Sequence, residues 1–332
     1  MVEVALGRTA VRVSRLSLGT GPLGGMFAPV EEVDALAVVR GAVDSGVRLI
    51  DTAPYYGSGL AETRVGDSLE GRSRGEFALS TKVGRLLDRD VPPDVDWTGE
   101  PFFKGAPPLG AVFDFSYDGV LRSLEQSLER LRLDSVDVVH VHDPGDFLDQ
   151  AIAEACAALV RLRDEGTISA VGVGMNSAEP LVRFAREADV DCLLLAGRYT
   201  LLDQSGLDEL LPLCLERGIA VIAAAVFNSG VLADPRSGAT FDYGPAPASV
   251  LERARRLEQI CTRHDVPLAA AALQFPLGHP AVATVLVGMR SSTELEQNLR
   301  HLELPVPPEL WAEMKAEGLL PEDAPVPDHD RG

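Results

Sequence analysis

Four residues able to pass a proton between them stand at the ends of consecutive short apolar runs. Asp51 closes the run Val47–Asp51, Lys82 closes Phe77–Lys82 and His142 closes Val136–His142. Tyr56 lies just beyond Asp51, in Asp51-Thr52-Ala53-Pro54-Tyr55-Tyr56-Gly57. A tyrosine hydroxyl titrates at about pH 10 when unperturbed, too high for acid–base work at neutrality. A nearby ammonium favours the phenolate and lowers that value. A buried ammonium in turn needs a carboxylate, or its desolvation is uncompensated. Asp51, Lys82 and Tyr56 thus compose a relay, with His142 able to hydrogen-bond a substrate oxygen. Taken singly, each has an ordinary role: a turn cap, an ammonium reaching for solvent, a packed ring, a satisfied histidine. Their occurrence together argues for chemistry. The lysine sharpens the point, because Lys82, Lys104 and Lys315 are the only lysines in the chain.

Such side chains converge only if the runs carrying them lie side by side. The strand-like runs are Leu16–Leu18, Val47–Asp51, Phe77–Lys82, Val136–His142, Ser169–Val173, Cys192–Ala196, Ala220–Ala225 and Thr284–Val287. Helical patterns alternate with them: Val30–Ser45, Leu60–Glu70, Gly119–Leu131, Asp149–Glu165, Glu179–Ala188, Gly206–Arg217, Ser249–His264 and Thr293–Leu302. Continuous apolar strands alternating with helices predict a parallel sheet buried on both faces. Eight such units predict an α/β fold of the (β/α)8 TIM-barrel type, whose chemistry gathers at the strand C-termini. An open doubly wound sheet is the structural alternative. It would want a GxGxxG after its first strand, which Leu18-Gly19-Thr20-Gly21-Pro22-Leu23-Gly24-Gly25 does not spell. Two additions stand outside the repeat: a hairpin over Val4–Val13, placed to plug the lower end, and a long loop after the third strand, Gly84–Tyr117. Loops of that length inside compact domains are usually functional. One domain is expected over residues 1–320, with a disordered tail over 321–332.

Composition narrows the partners. Fifty acidic residues against 30 basic ones give a net charge of −20 over 332 residues. That sign repels phosphate backbones and anionic lipid, so neither nucleic acid nor a membrane is an expected partner. No run approaches the length of a membrane span, and the N-terminus lacks a signal-peptide pattern, so a cytoplasmic protein is expected. Cys156, Cys192, Cys214 and Cys261 have no metal or redox spacing and read as buried or half-buried thiols. No exposed apolar stripe decides the oligomeric state.

The chain resembles the aldo-keto reductases over essentially its whole length. The motifs that carry the resemblance are Asp51-Thr52-Ala53-Pro54-Tyr55-Tyr56-Gly57, Ser80-Thr81-Lys82-Val83-Gly84, Asp137-Val138-Val139-His140-Val141-His142 and Val285-Leu286-Val287-Gly288. The resemblance implies an NAD(P)-dependent oxidoreductase with a catalytic tetrad of Tyr56, Lys82, Asp51 and His142. Phe113-Asp114-Phe115-Ser116-Tyr117-Asp118-Gly119, His142-Asp143-Pro144, Gly174-Met175-Asn176, Leu195–Asp203 and Phe227-Asn228-Ser229-Gly230 are similar to the L-fucose and D-threo-aldose 1-dehydrogenase branch. Pyridoxal 4-dehydrogenase is a close relation of that branch. The implied reaction is hydride transfer from carbon 1 of an aldose to nicotinamide, giving a lactone. The alternative is turnover of pyridoxal or another aldehyde at the same site.

The resemblance further implies cofactor contacts at Gly19, Thr20, Asn176, Phe227, Asn228, Gly230, Gly288, Arg290, Gln297 and Asn298. The sequence departs from the family at Ala196, where many members have Gln, and at Ala224, where a Tyr stacks on the nicotinamide. Phe227 is then the candidate for stacking. A Lys and an Arg that grip the 2′-phosphate in NADP-preferring members align with Gly288 and Glu294. The cofactor is NAD or NADP, leaning to NAD, with Arg290 still able to reach a phosphate. Substrate contacts are expected from Tyr55, Trp97, Phe115, Tyr117 and Arg198, with Phe27, Phe113, Asp114 and Asp118 as further candidates.

Two other classes remain in view. His140-Val141-His142 at a strand end suits the metal-dependent hydrolases of barrel folds, but the other histidines, His264, His279, His301 and His329, fall outside strand ends and leave the ligand set incomplete. A nucleotide-binding redox sensor without turnover would be expected to lack a tetrad member, and all four are present.

Overall fold

The computed structural model describes residues 1–327. Eight parallel strands close into a barrel. They are β3 (Leu16–Gly19), β4 (Leu49–Asp51), β5 (Ala78–Val83), β8 (Val138–His142), β9 (Ala170–Met175), β10 (Cys192–Ala196), β11 (Ala220–Ala224) and β14 (Val282–Gly288), with β14 hydrogen-bonded to both β11 and β3. Between them run α1 (Glu32–Asp44), α2 (Leu60–Leu69), α3 (Tyr117–Leu131), α4 (Leu148–Gln150), α5 (Cys156–Asp164), α6 (Ala178–Glu187), α7 (Leu210–Arg217), α8 (Ala248–Arg263), α9 (Leu268–Gln274), α10 (Ser292–Glu303) and α11 (Pro308–Ala316). All eight expected strands and the outer ring of helices are present. The helix expected over Asp149–Glu165 is interrupted by a π-turn at Ala151–Ala155, and α9 and α11 are additions to the expected set.

Alternation along each strand decides which side chains reach the lumen, since successive residues face opposite sides. Outward residues such as Ile50, Leu79, Val139 and Val141 join a large core beneath the helices. Leu49, Ala78, Val138, Ala170, Cys192 and Ala220 instead fill the lower lumen. Each fully buried Val or Leu contributes about 1.5–3 kcal/mol. Counting on from the lower set by twos puts Asp51, Ser80, Lys82, His140 and His142 inside and at successively higher levels.

The N-terminal hairpin pairs β1 (Glu3–Ala5) with β2 (Arg12–Ser14). Its Leu6, Val11 and Val13 are buried against the lower lumen, so it plugs that end. The long loop after β5 carries a second hairpin, β6 (Arg85–Asp88) with β7 (Gly110–Phe113), and the segment after β11 carries a third, β12 (Thr240–Phe241) with β13 (Gly244–Pro245). The tail is packed for part of its length. Ala324 is buried and Val326 lies against the main core, because small apolar side chains recur there among the prolines. Residues 328–332 of the expected tail, His329 included, lie outside the described residues. All four cysteines are buried. Among the described residues no helix is long and apolar enough to cross a membrane.

Candidate active site

At the top of the lumen the inward residues of β4 and β5 meet. Lys82 Nζ donates to Asp51 Oδ2 at 2.5 Å and to the Thr52 carbonyl at 2.9 Å. Ser80 Oγ donates to the other Asp51 oxygen at 2.7 Å, so the carboxylate is fixed on both sides. Both charges are almost fully buried, at 2% and 1% side-chain exposure, and their ion pair compensates what would otherwise be a prohibitive desolvation. Tyr56 lies in the turn after β4 with its ring under Lys82 Nζ, 4.5 Å from the ring centroid. That turn is held by backbone-on-backbone contact. Gly57 has φ +63°, and a Cβ on it would lie 2.4 Å from the Gly24 carbonyl oxygen, so only glycine fits.

The His142 ring stands edge-on to Tyr56 at 5.8 Å and to Tyr55 at 6.1 Å. Its Nε2 is 3.7 Å from Asp143 Oδ2, which accepts a hydrogen bond from Arg85 Nη2 at 3.2 Å. The Arg85 guanidinium in turn lies over the Tyr55 ring at 4.6 Å. The structure therefore brings the four tetrad candidates into one buried cluster. It adds Arg85 and Asp143, which sequence reasoning missed as site residues, although Asp143 was visible in His142-Asp143-Pro144.

Burial and charge act in opposite senses on the phenol. Burial pushes the Tyr56 hydroxyl up, and the Lys82 ammonium pulls it down without overcoming that push. The expectation of a lowered phenol is thus corrected: the sign of the Lys82 effect is as expected, but desolvation exceeds it. Burial also works against the Lys82 ammonium, yet the Asp51 carboxylate and Tyr56 outweigh it, so Lys82 sits above its ordinary range and stays charged. Burial, then Arg85 and Lys82, drive His142 well below its ordinary value, so it presents a neutral imidazole.

His140, one level below, is fully buried, and among the described residues neither ring nitrogen has a hydrogen-bond partner. The imidazole fits because its neighbour is Gly172, where a Cβ would meet Nδ1 at 2.1 Å. Burial lowers His140 to about 4. A histidine held neutral binds fewer protons folded than unfolded. Its contribution is therefore present above the unfolded value of about 6.5 and is lost as pH falls toward about 4, at about 1.4 kcal/mol per pH unit. Thermal melts of His140→Leu and the parent protein should diverge in slope across that window, with the variant less acid-sensitive. Parallel pH profiles would contradict it. Among the described residues no group of three or more His, Cys, Asp or Glu side chains is arranged to hold a metal ion.

Aromatic rings line the mouth. Tyr55 packs edge-on to Phe103 at 5.2 Å and donates its hydroxyl to Asp94 Oδ2 at 2.6 Å. Phe103 also faces Tyr56 at 6.4 Å, and Phe102 faces Phe103 at 5.1 Å. Tyr243, from the third hairpin, stacks on Phe27 at 6.2 Å and meets Phe102 at 5.7 Å. Phe102, Phe103 and Tyr243 were not foreseen as site residues; they sit in loops without periodic signal.

Several expected substrate contacts fall elsewhere. Phe115 is fully buried between Phe113 and Phe147, so it is a packing residue. The Tyr117 hydroxyl accepts from Arg161 on α5, on the outer face of the barrel. Trp97 is 66% exposed on the outer part of the long loop. Asp114 is paired with Arg122 and accepts from Ser116 at the start of α3, which removes it from the pocket. Arg198 is committed to Asp242 and Asp203 rather than free for a sugar hydroxyl. Among Tyr55, Trp97, Phe115, Tyr117 and Arg198, Tyr55 alone lies among the tetrad rings.

All the nucleotide candidates except Asn176, which follows β9, come from the ends of β11, β14 and β3 or the segments after them, and these strands are neighbours in the barrel. Gly288 is paired in register with Gly19. Thr20 is buried with an unpartnered Oγ1, and Asn228 is buried with an unpartnered Oδ1 while its Nδ2 donates to the Gly197 carbonyl at 3.3 Å. Ala225, Asn228 and Ser229 have φ values of +52°, +45° and +60°, and Gly230 has +108°, which folds the chain into a tight concave turn after β11. Phe227 is half-buried in that turn. Asn176 is exposed directly after β9, Gln297 is exposed on α10 and Asn298 is buried beside it. Buried acceptors and hydroxyls without partners, next to a concave backbone, fit a polar dinucleotide. Arg290 is bound to Glu294, its Nη2 donating at 2.9 Å and its backbone N–H at 2.7 Å.

A family model described as the aldo/keto reductase family matches residues 15–317. The chain is 44% identical to a pyridoxal 4-dehydrogenase of Microbacterium luteolum, over 95% of this chain and 97% of that one. It is 40% identical to a D-threo-aldose 1-dehydrogenase of a Pseudomonas species, over 96% and 98%. An aldo-keto reductase from Bacillus halodurans, solved in its holo form, superposes with a TM-score of 0.77 at 26% identity and covers both chains fully.

Proposed function

Since the chain belongs to the aldo/keto reductase family and is an NAD(P)-dependent oxidoreductase, we propose that it oxidises the ring carbon of a cyclic hemiacetal to a lactone, with an aldose such as L-fucose as substrate. The observation that carries this reading is the Asp51–Lys82–Tyr56 cluster with the neutral His142 edge-on to the same phenol. When bound, the nicotinamide accepts the hydride. Gly19, Thr20, Asn176, Phe227, Asn228, Gly230, Gly288, Arg290, Gln297 and Asn298 would hold its nucleotide. His142 holds the hemiacetal hydroxyl oxygen, and Tyr56, as the base under Lys82, takes the hydroxyl proton as the carbon–hydrogen bond breaks. Asp51 keeps Lys82 charged throughout. In the reverse direction Tyr56 is the acid and a carbonyl is reduced.

Pyridoxal is the second reading, favoured by the 44% identical relative. It carries its aldehyde beside a hydroxymethyl group and closes to a cyclic hemiacetal as an aldose does, so the same residues serve either substrate. The experiment is to follow nicotinamide reduction with L-fucose, L-galactose, D-arabinose, pyridoxal and simple aldehydes. Lactone formed from one of the sugars supports the reading; turnover of pyridoxal alone would replace the sugar with pyridoxal. Inactivity toward all of them would leave a nucleotide-binding sensor.

For the nucleotide, NAD is the better fit. A 2′-phosphate brought to Arg290 would meet the Glu294 carboxylate already paired with it, itself a negative charge. NAD should exceed NADP in kcat/KM by about tenfold or more, the worth of one charge-assisted hydrogen bond. Glu294→Ala should narrow that ratio. An unchanged ratio would remove Glu294 from cofactor choice.

A further inference from the structure

The third hairpin is built at a cost that packing alone does not explain. Asp242 and Tyr243, at its turn, have φ values of +45° and +65°; aspartate tolerates that left-handed region, but a tyrosine stands where a two-residue hairpin turn ordinarily has glycine. Two anchors hold that conformation. Arg198 donates to both Asp242 oxygens, at 3.2 and 3.0 Å, and the Tyr243 N–H donates to Ser229 Oγ at 3.1 Å. What the strained turn delivers is one ring. Tyr243 reaches from the segment after β11 to Phe27 in the loop after β3 and to Phe102 in the loop after β5. It remains 37% exposed, and Phe102 in turn packs on Phe103, which faces both Tyr55 and Tyr56. A partly exposed ring thus joins the run of aromatics, Phe102 and Phe103, that leads to the reacting phenol.

We propose that Tyr243 is a specificity-determining residue whose ring packs on the apolar face of the cyclic substrate, and that the Arg198–Asp242 pair positions it. The inference rests on the hemiacetal reading above and deepens it. A sugar ring shows C–H groups on one face and pyridoxal shows a π face, and an aromatic wall suits either. Strain accepted at a recognition residue and offset by a neighbouring ion pair is the expected pattern where orientation matters more than local stability.

The test uses the purified enzyme and the best substrate from the panel above. Tyr243→Ala should raise substrate KM about tenfold or more, with kcat and cofactor KM changed far less. Tyr243→Phe, which keeps the ring, should recover most of that loss. Asp242→Asn keeps a residue tolerant of the left-handed turn but removes the charge, and should raise substrate KM in the same sense. Its melting midpoint should stay near that of the parent. A substrate KM unmoved in Tyr243→Ala would overturn the proposal, as would a rise confined to the cofactor. If the parent turns over no hemiacetal at all, the hemiacetal reading has failed instead, and the two failures are told apart before any variant is made.

Discussion

Tyr56→Phe should lower kcat by about 10²–10⁴-fold in both directions, with nucleotide affinity unchanged within about twofold. The variant removes the one atom that gives or takes the proton and leaves the ring beneath Lys82 in place. Among the described residues no other side chain shown beside Lys82 carries a hydroxyl over that ammonium. Single-turnover reduction and fluorescence titration of the nucleotide separate the two quantities. A variant that kept most of its turnover would move the proton to another group.

The second large effect concerns the ion pair beneath. Lys82→Met leaves the Asp51 carboxylate buried with only Ser80 as a donor, and removal of one partner of a buried pair costs about 3–5 kcal/mol. Activity should fall about a hundredfold or more, since the phenol then lacks the only cation shown pulling it down. The double variant Asp51→Leu/Lys82→Met removes both charges, and such apolar replacement is often neutral for stability. Its denaturation midpoint should therefore recover most of the single-variant loss, while its activity should not recover at all. Equal instability in the single and double variants would mean that packing, rather than an orphaned charge, is what Lys82 supplies.

The tetrad was legible because strand parity carries it. Leu49 to Asp51, Ala78 to Lys82 and Val138 to His142 count by twos from lower-lumen residues to polar ones, a pattern that each strand states by itself. The mouth was not legible for the opposite reason. Arg198 binds Asp242, 44 residues further along, and nothing local to either residue announces the pairing. Phe115 and Tyr117 belong to an aromatic loop whose composition points to the pocket, yet Phe115 is buried in packing and Tyr117 begins α3 and faces Arg161. Tyr243 stands where a two-residue hairpin turn ordinarily has Gly. That violation was itself a signal. Local sequence rules tend to fail where a site demands something else.

The N-terminal hairpin has a bearing on traffic. With Leu6, Val11 and Val13 seated in the lower lumen, the relay has a floor as well as walls. Every oxidised substrate leaves a proton on Tyr56, and with the lower lumen closed that proton has one exit, the doorway through which product must also leave. Chemistry and proton discharge are thus queued at a single door. Acid appearing in weakly buffered solution should lag nicotinamide reduction in the first turnover, by the time the product takes to depart.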